Sequence, residues 1–353
     1  MPESTRSSTP LNDVWAVILA GGIGSRFWPV STRERPKQLL PLASTQPLIV
    51  DTVERALWIA PASRVRILAG EHLASPFRTV LPDLPDEAYW IEPAAKGTCP
   101  VLAWAAWEIV QRDPDGVMIS LHSDHQVAPL DAFRDTLWAA AAVARDQDLL
   151  LCIGAEPTRV ETGYGHVELG DQIPGFGSEA FRVAAFHEKP DAETAARYVT
   201  EGQLWNTGIF VWKAATFLEE VARHAPEVAE HFPLLELGPE AFFNAVPACV
   251  VDKAVMERSD RIATMKATFS WDDVGSWEAL SRTRVPNAAG NVIHGEAQVV
   301  EGTGNTVFVE DGRVVLYGVD NLVVVRTGKT TLVLPRERAS DLKALLAQID
   351  GDS

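Results

Sequence analysis

The amino-acid sequence predicts an α/β protein in which a doubly wound, mostly parallel sheet is followed by a small β-rich module. Between Val14 and Ile153, short apolar runs typical of buried strands alternate with helical patterns. Such alternation favours parallel strands joined by helices, with ligands outside the carboxyl ends of the strands. From about Asn291 the pattern changes to short β-rich runs that recur every eight to nine residues, which indicates a small all-β module.

The first element is a buried strand that leads into a glycine-rich loop at Gly21 and Gly22. Strands and helices then alternate, and Thr98 and Asp131 are the expected caps of the second and third helices. The predicted strands are Val14–Ala20, Val65–Ala69, Tyr89–Ile91, Val117–Leu121 and Leu149–Ile153, and the predicted helices are Pro47–Ala60, Thr98–Arg112 and Asp131–Arg145.

The second half of the chain is less regular, with helical segments through about Arg258 before the β-rich runs begin. Its predicted strands are Phe181–Phe186, Gly208–Trp212, Ile262–Phe269, Thr306–Val309, Val314–Tyr317, Leu322–Val325 and Thr330–Leu334, and its predicted helices include Ala192–Val199, Ser276–Arg282 and Arg338–Ile349. The chain therefore divides into a polar tail over residues 1–12, an α/β domain over 13–286, and a β-rich module with a terminal helix over 287–353.

Charge and composition exclude several classes of protein. Apolar residues make up 46% of the 353 residues and charged residues 22%, which excludes wholesale disorder. The net charge of −17 argues against a nucleic acid or an anionic membrane surface as the partner. The longest apolar runs fall far below the ~20 residues of a membrane helix, and the polar N-terminus does not fit a signal peptide. Three widely spaced cysteines fit a reducing compartment, so we expect a cytoplasmic protein.

The block Gly21–Gln38, GGIGSRFWPVSTRERPKQ, carries the clearest signal of chemistry. Its glycines let the backbone approach a ligand, Arg26 suits bidentate contact with phosphate oxygens, and Lys37 supplies a point charge. Residues 24–38 carry a net charge of +3, which leaves −20 for the rest of the chain. The P-loop pattern is absent, and Phe27 stands where a dinucleotide-binding fingerprint has its third glycine. The alternative interpretation is a glycine turn with surface basic residues.

Two acidic segments are candidate metal sites. Asp124 follows a predicted strand, where a carboxylate suits Mg²⁺ shared with phosphate oxygens. A helix cap is one alternative for Asp124, and a zinc site with His122 and His125 is another. Asp273 belongs to the segment WDDVGSW, where adjacent carboxylates are also typical of a solvated turn.

Several blocks occur in the order found in one family. The chain contains GGIGSRFWPVSTRERPKQ, HSDH, GYGHVE, FHEKP, WNTGIFVW, VDKAVMER and WDDVGSW. It resembles the bacterial mannose-1-phosphate guanylyltransferases, or GDP-mannose pyrophosphorylases, of the sugar nucleotidyltransferase superfamily. The resemblance covers nearly all of the chain after the tail, and it implies a Rossmann-like nucleotidyltransferase fold with a β-helix-like C-terminal module.

The resemblance implies a reaction in which mannose 1-phosphate attacks the α-phosphorus of GTP, giving GDP-mannose and pyrophosphate. It implies that Mg²⁺ is held by Asp124 and Asp273, and it assigns Asp272 no role. The catalytic residues would be Arg26, Lys37, Asp124, Lys189 and Asp273. The nucleotide would bind at Leu19, Gly21, Gly22, Gly24, Ser25, Arg26, Lys37, Gly97, Thr98 and Asp124. The sugar phosphate would bind at Gly165, Glu188, Lys189, Asn206 and Thr207.

One position departs from the family pattern. The base-binding segment commonly contains Arg-Asn-Thr, whereas this chain has Lys96, Gly97 and Thr98, which leaves base selectivity open. The alternatives are therefore a sibling enzyme with another NTP or hexose 1-phosphate, or a non-catalytic regulator that binds GDP-mannose. A nicotinamide-dependent dehydrogenase is more distant, because the third glycine is missing. The resemblance also implies a homodimer, and the length predicts one activity without the isomerase domain of some family members.

Overall fold

The computed structural model describes residues 11–22 and 24–348, so the predicted tail lies outside the described residues up to Pro10. The chain forms two compact units from interleaved segments. The first unit contains the chain up to Gly21, Thr52–His122 and Val127–Trp271. The second contains Gly22–Asp51, Ser123–Gln126 and the chain from Asp272 onward. Because the units take segments from both sides of residue 286, the predicted domain division there stays a prediction.

The first unit is built on a sheet of nine strands in the order β3-β2-β1-β4-β9-β6-β10-β8-β7. Seven strands point the same way, while β8 and β9 are antiparallel to their neighbours. The sheet is therefore mostly parallel, as predicted. The strands up to residue 272 are β1 Val14–Leu19, β2 Val65–Gly70, β3 Tyr89–Glu92, β4 Val117–His122, β5 Gln126–Ala128, β6 Leu150–Ala155, β7 His166–Gln172, β8 Ala180–His187, β9 Leu204–Lys213, β10 Ile262–Lys266 and β11 Ser270–Asp272.

Helices cover this sheet because its strands are apolar on both faces. Every residue of β1 is buried, which is the pattern of a central parallel strand. The helices are α1 Leu48–Leu57, α2 Glu71–Val80, α3 Thr98–Arg112, α4 Leu130–Gln147, α5 Ala192–Thr200, α6 Ala214–His224, α7 Pro226–Ala229, α8 Pro239–Ala245, α9 Leu280–Thr283 and α10 Leu342–Leu346. None of the helices in the described part of the chain is long and apolar enough to cross a membrane.

The structure corrects three expectations in the first unit. Thr98 is the first residue of α3 rather than its cap, and α4 begins one residue before Asp131. Strand β9 begins at Leu204, four residues earlier than predicted, because WNT pairs with β6 and β7. The strand β7 and the helix α2 were not predicted. Exposed and half-buried polar residues interrupt the apolar pattern of β7, which hides the strand signal.

The second unit contains the β-rich module. Strands β12, β14 and β16 stack in parallel and β17 closes that sheet in antiparallel fashion, while β13 and β15 form a second parallel pair. Strands that pair in parallel at a regular spacing along the chain agree with the β-helix-like expectation. Their bounds are β12 Val292–His294, β13 Ala297–Val300, β14 Thr306–Val309, β15 Val314–Tyr317, β16 Leu322–Thr327 and β17 Thr330–Pro335.

One apolar core joins the module to the glycine-rich segment of the same unit. It contains the buried side chains of Phe27, Val30, Leu40, Trp277, Phe308, Val325 and Leu342, among others. The terminal helix predicted over Arg338–Ile349 is instead a 3₁₀ segment, Arg336–Asp341, followed by α10, and Ile349 lies outside the described residues. Ala339 and Leu342 are the buried residues here, and their spacing of three suits the 3₁₀ geometry.

Candidate functional site

Gly24 allows the glycine-rich segment to pass close to Lys37. Its φ of +71° lies in the left-handed region, and a Cβ there would lie 2.3 Å from the Cβ of Lys37. Only glycine fits such a position without displacement of its neighbour. Gly22 also has a positive φ, and its carbonyl accepts a hydrogen bond from Gln38 Nε2 at 2.9 Å. The glycines therefore fix the path of the loop around Lys37, while Ser25 and Arg26 remain exposed.

Lys37 joins two of the predicted metal ligands. Its side chain is 7% exposed, and Nζ lies 2.8 Å from Asp124 Oδ2 and 3.0 Å from the backbone oxygen of Asp273. The same nitrogen stands over the ring of Phe27, 5.5 Å from the centroid. A buried ammonium group needs such partners, because an unpaired buried charge is strongly unfavourable. We call Arg26, Lys37, Asp124 and Asp273 the Lys37 cluster.

A strained turn holds Asp273. Val274 is buried and has a φ of +45°, which is rare for a β-branched residue. Its N–H donates to Asp272 Oδ1 at 2.8 Å, and the other oxygen of Asp272 accepts from Arg282 Nε at 2.7 Å. Arg26 Nη1 donates to the carbonyl of Gly275 at 3.4 Å. Backbone strain of this kind concentrates at functional sites.

Asp272, to which the sequence assigned no role, is thus the residue that holds the turn beside Asp273. Its signal in the sequence was its place at the start of WDDVGSW, but adjacent acidic residues do not reveal which of them points into the chain. The carboxylate of Asp273 lies where a side chain at Gly275 would be, since a Cβ there would come within 2.6 Å of Asp273 Oδ2. Two carboxylates from separate segments, Asp124 and Asp273, form the hard-oxygen donor set that Mg²⁺ prefers, so the residues fit that ion.

In the first unit, Glu188 and Lys189 follow directly after β8. The carboxylate of Glu188 is almost fully buried and pairs with the ammonium group of Lys189, which is 62% exposed. The backbone N–H of Glu188 donates to Glu257 Oε1 at 3.0 Å. A Cβ at Gly165 would come within 2.9 Å of Glu188 Oε2, so the glycine leaves room for this carboxylate.

Asn206 and Thr207 lie inside β9 rather than at its entry. Asn206 Nδ2 donates to Asp252 Oδ1 at 2.9 Å, and its Oδ1 accepts from the backbone N–H of Gly208 at 3.0 Å. These two partners fix the orientation of the carboxamide. The hydroxyl of Thr207 is buried and donates to the carbonyl of Ile153 at 2.8 Å, so it serves the sheet.

Asp252 is a residue of this site that sequence reasoning missed. It begins the segment Asp252–Met256, which is a π-helix, a rare geometry that is frequent at functional sites. Burial, with the negative charge of Glu188, raises the pKa of Asp252 to about 6. VDKAVMER contributed to the resemblance, but its spacing gave no reason to choose Asp252. We call Gly165, Glu188, Lys189, Asn206 and Asp252 the Glu188 cluster.

The predicted base-binding segment is held against a later part of the first unit. Gly97 has a φ of +85°, and a Cβ there would lie 2.4 Å from the carbonyl oxygen of Cys249. The hydroxyl of Thr98 accepts from the N–H of Val251 at 2.9 Å, and the N–H of Cys249 donates to the carbonyl of Lys96 at 2.9 Å. The asparagine that is common in the family does not fit this backbone.

The remaining predicted contacts surround the end of β1. Leu19 is its last residue, and Gly21 is exposed. A Cβ at Gly21 would lie 3.9 Å from Glu92 Oε2. Burial raises the pKa of Glu92 above its ordinary value, and the hydrogen bond from the N–H of Lys96 opposes that shift.

The mostly parallel sheet and the two clusters of charged side chains define an α/β enzyme that acts on phosphorylated substrates. The chain belongs to the nucleotidyl transferase family, whose model matches residues 15–285. It is therefore an enzyme of the nucleotidyltransferase class, which confirms the fold and the family inferred from the sequence motifs.

Curated relatives resemble the chain over nearly its full length. It is 34% identical to the mannose-1-phosphate guanylyltransferase ManC of Salmonella typhimurium, and the match covers 96% of this chain and 74% of that protein. It is also 34% identical, with the same coverage, to the mannose-1-phosphate guanylyltransferase of Escherichia coli. The alginate biosynthesis protein AlgA of Pseudomonas putida is 31% identical over 95% of this chain and 71% of its own length.

Solved structures share the fold. A crystal structure from Thermus thermophilus, titled as a mannose-1-phosphate geranyltransferase, superposes with a TM-score of 0.88 and 29% identity, covering 96% of this chain and all of the other. A UDP-glucose pyrophosphorylase complexed with UDP-glucose matches with a TM-score of 0.50 and 15% identity, covering 77% of this chain and 97% of the other, which supports the fold alone.

Proposed function

We propose that this enzyme transfers GMP from GTP to mannose 1-phosphate, giving GDP-mannose and pyrophosphate. The observation that carries the proposal is the contact of one buried lysine, Lys37, with both Asp124 and Asp273. These three residues come from three separate segments that resemble family motifs. The names of the curated relatives, of which the match covers about three quarters, support the choice of substrates.

The chemistry of this transfer needs charge neutralisation more than a base. The attacking phosphate oxygen of the sugar is already an anion, so the main obstacle is the approach of two anions. We assign Arg26 and Lys37 to the phosphates of GTP and to the leaving pyrophosphate. Lys189, which is exposed and fixed beside Glu188, neutralises the attacking phosphate. Positioned charges of this kind lower the barrier because they need no rearrangement during the reaction.

The Glu188 cluster supplies groups that suit the sugar. The carboxylate of Glu188 accepts hydrogen bonds from sugar hydroxyls, and the carboxamide of Asn206 is oriented in advance by Asp252 and Gly208. Because Thr207 is buried against Ile153, its hydroxyl supports the strand rather than the substrate. This assignment of Thr207 is narrower than the role that the resemblance implies.

We also propose that Asp124 and Asp273 hold Mg²⁺. When bound, the ion supplies Lewis-acid polarisation of phosphate oxygens and neutralises part of their charge. The Lys37 ammonium group lies beside the same carboxylate of Asp124, so it keeps this oxygen in place by a direct charge-assisted hydrogen bond. Removal of Mg²⁺ by EDTA is expected to abolish turnover and its re-addition to restore it.

A pyrophosphate-release assay tests the proposal. Native protein is given GTP and mannose 1-phosphate, and GTP is then replaced by ATP, UTP and dTTP and the sugar by glucose 1-phosphate. Highest kcat/KM for GTP with mannose 1-phosphate supports the proposal. Preference for another pair would identify a sibling transferase, and binding of GDP-mannose without any turnover would identify a regulator.

Charge-neutral variants of the two carboxylates test the site. Asp124→Asn and Asp273→Asn are each expected to lower kcat by at least about 100-fold while the Tm stays within a few degrees of the native value. Asp83→Asn, which alters an exposed aspartate far along the chain from either motif, is the matched control and should leave kcat unchanged. Near-native magnesium-dependent rates in both site variants would exclude the assignment.

Two broader proposals concern the assembly and its compartment. We propose a homodimer, and the exposed apolar side chains of Val315 and Tyr317 on β15 support an interface there. We propose a cytoplasmic location, which the free thiols of Cys99, Cys152 and Cys249 support. Light scattering after size exclusion measures the first, and fractionation of cells measures the second.

A further inference from the structure

A continuous series of rings in the second unit runs from the β-rich module to Lys37. The ring of His294 stacks on Phe308 with centroids 4.4 Å apart, Phe308 lies 5.1 Å from Trp277, and Trp277 meets Phe27 edge-on at 5.0 Å. Phe27 then lies beneath Lys37 Nζ at 5.5 Å. Contacts at these distances and angles are the favourable arrangements of aromatic side chains. We call His294, Phe308, Trp277 and Phe27 the aromatic ladder.

Trp277 is the central member of the ladder. Its ring is fully buried, and its Nε1 donates a hydrogen bond to the backbone carbonyl of Trp28 at 3.0 Å. It also follows Asp273 by four residues, so it anchors the turn that carries this aspartate. One side chain thus fixes both the segment that contains Lys37 and the segment that contains Asp273.

The segment from Gly22 to Leu40 has little other support for its backbone. Its regular structure consists of two three-residue 3₁₀ turns, Ser25–Phe27 and Lys37–Leu39. No strand ladder or α-helix holds this part of the described chain. Its geometry therefore depends on packing against the core that Trp277 and Phe308 complete.

Polar contacts from the module reinforce the same segment. Glu310, directly after β14, pairs with Arg35 at 2.6 Å and accepts from the hydroxyl of Thr327. Arg284 donates to the carbonyls of Leu42 at 2.8 Å and Ser44 at 3.0 Å, and it also contacts the ring of His294. The module and the loop are thus joined by rings, an ion pair and carbonyl contacts.

We propose that Trp277 is a positioning residue that holds Lys37 and Asp273 in their places, and that the C-terminal module acts on the site through Phe308. The module is then a structural part of the nucleotide-handling machinery, which is a role distinct from assembly. The inference rests on the proposed function only for its kinetic readout, since the order of the loop is measurable without substrates.

Hydrogen exchange of the full chain tests the inference without any activity. Trp277→Phe removes the hydrogen bond to Trp28 but keeps an aromatic ring, and Phe308→Leu removes the ring that links Trp277 to the module. Each is expected to speed amide exchange in peptides covering residues 24–40 by about tenfold or more. The matched control is Val307→Ala, because Val307 is equally buried next to Phe308 but packs in a separate cluster with Val309 and Val324.

The control separates positioning from general loss of stability. Val307→Ala is expected to lower the Tm while exchange in residues 24–40 keeps its native rate. Equal exchange of this segment in native protein, Trp277→Phe and Phe308→Leu would overturn the inference, even if all three variants lost stability.

Kinetics supply the second readout. Displacement of Lys37 by a fraction of an ångström is expected to lower kcat by about tenfold in Trp277→Phe and Phe308→Leu, with the KM for the sugar phosphate unchanged. Unchanged kcat in both variants would show that the ladder serves the core alone. If native protein shows no transferase activity, the proposed function fails while the exchange experiment still decides the role of Trp277.

Discussion

At the scale of single residues, the backbone at Gly97 explains why the chain departs from its family. Gly97→Ala is expected to lower the free energy of unfolding by about 2 kcal/mol or more, because the new Cβ meets the Cys249 carbonyl at 2.4 Å and φ is +85°. The KM for the nucleotide should rise as well, since Thr98 would move with it. Chemical denaturation and steady-state kinetics measure the two effects.

Gly175→Ala is the matched control for this prediction. Gly175 has a φ of +88°, close to that of Gly97, but a Cβ there would meet nothing within 4 Å. Its substitution therefore carries the cost of the backbone conformation alone. Equal losses in the two variants would contradict a role for the Cys249 contact.

Asp252 is expected to make stability depend on pH. Its pKa of about 6 in the folded protein exceeds the ordinary value of 3.8, so the folded state holds the proton more tightly than the unfolded state. The contribution to stability is thus present below pH 4 and is lost as the pH rises through 6. Asp252→Asn keeps a hydrogen-bond acceptor for Asn206 and removes the charge, so its Tm should gain on the native Tm between pH 4.5 and 7.5.

The charged groups that act on Asp252 define the comparison. Glu188 raises its pKa, while Lys189 and the hydrogen bond from Asn206 lower it. Thermal melts of native protein, Asp252→Asn and the exposed control Asp83→Asn give the difference directly. Parallel curves for native protein and Asp252→Asn across this range would exclude the assigned pKa.

Side-chain chemistry of the site could be predicted from the sequence, but its pairings could not. Local order placed Lys37 in a glycine-rich loop and Asp124 after a strand, and both positions are as expected. The ion pair between them spans 87 residues, and no local pattern encodes which carboxylate a buried lysine meets. Asp252 stayed hidden for the same reason, because Asn206, its partner, is 46 residues away.

At the scale of elements, the turn Asp272–Gly275 carries a prediction of its own. Asp272→Ala removes the acceptor for the N–H of Val274 and the partner of Arg282, so the strained φ of Val274 loses its support. We expect stability to fall by about 1–2 kcal/mol and kcat by about tenfold. Thermal melts and pyrophosphate release measure these losses.

The conservative variant separates the two contacts of Asp272. Asp272→Asn keeps an oxygen for the N–H of Val274 but loses the ion pair with Arg282. Retention of most of the kcat in Asp272→Asn, together with its loss in Asp272→Ala, is the expected result. Equal kcat in native protein and Asp272→Ala would contradict a positioning role for the turn.

Elements with a strong apolar period were predictable, and those shaped by distant partners were not. Helix α3 and strands β14 and β15 have the predicted bounds, because burial and turn residues define both ends of each. Strand β9 extends to Leu204 because two neighbouring strands pair with its polar start, which no local pattern shows. The 3₁₀ segment Arg336–Asp341 arises from burial of Ala339 alone within it, which is too little for a helix signal.

At the scale of the whole molecule, the acidity of the chain and its anionic substrates are compatible. The net charge of −17 belongs to the chain as a whole, whereas residues 24–38 carry +3. A local positive charge determines the binding of a phosphate at short range, because salt screens charges beyond roughly 10 Å. The overall charge therefore excludes nucleic acids as partners more effectively than it excludes a nucleotide.

The shared core of the second unit makes a prediction about the division of the chain at residue 286. A chain that ends at Pro286 keeps Phe27 and Trp277 but loses the buried side chains of Phe308, Val325 and Leu342 that pack with them. Each buried side chain of this kind contributes about 1.5–3 kcal/mol, and the module supplies several of them, whereas whole domains are stable by only about 5–15 kcal/mol. We therefore expect the second unit of the shortened chain to remain unfolded, with rapid proteolysis between Gly22 and Asp51.

A chain that ends at Gln348 is the control, since it keeps every residue of this core, and it should resist protease like the native protein. Limited proteolysis followed by mass spectrometry of the fragments locates the cleavage sites in both. Native resistance between Gly22 and Asp51 in the chain that ends at Pro286 would show that residues 13–286 fold independently, as the sequence pattern alone suggests. Cleavage confined to that segment, with the nine-stranded sheet intact, would show that the C-terminal module completes the unit that carries Lys37.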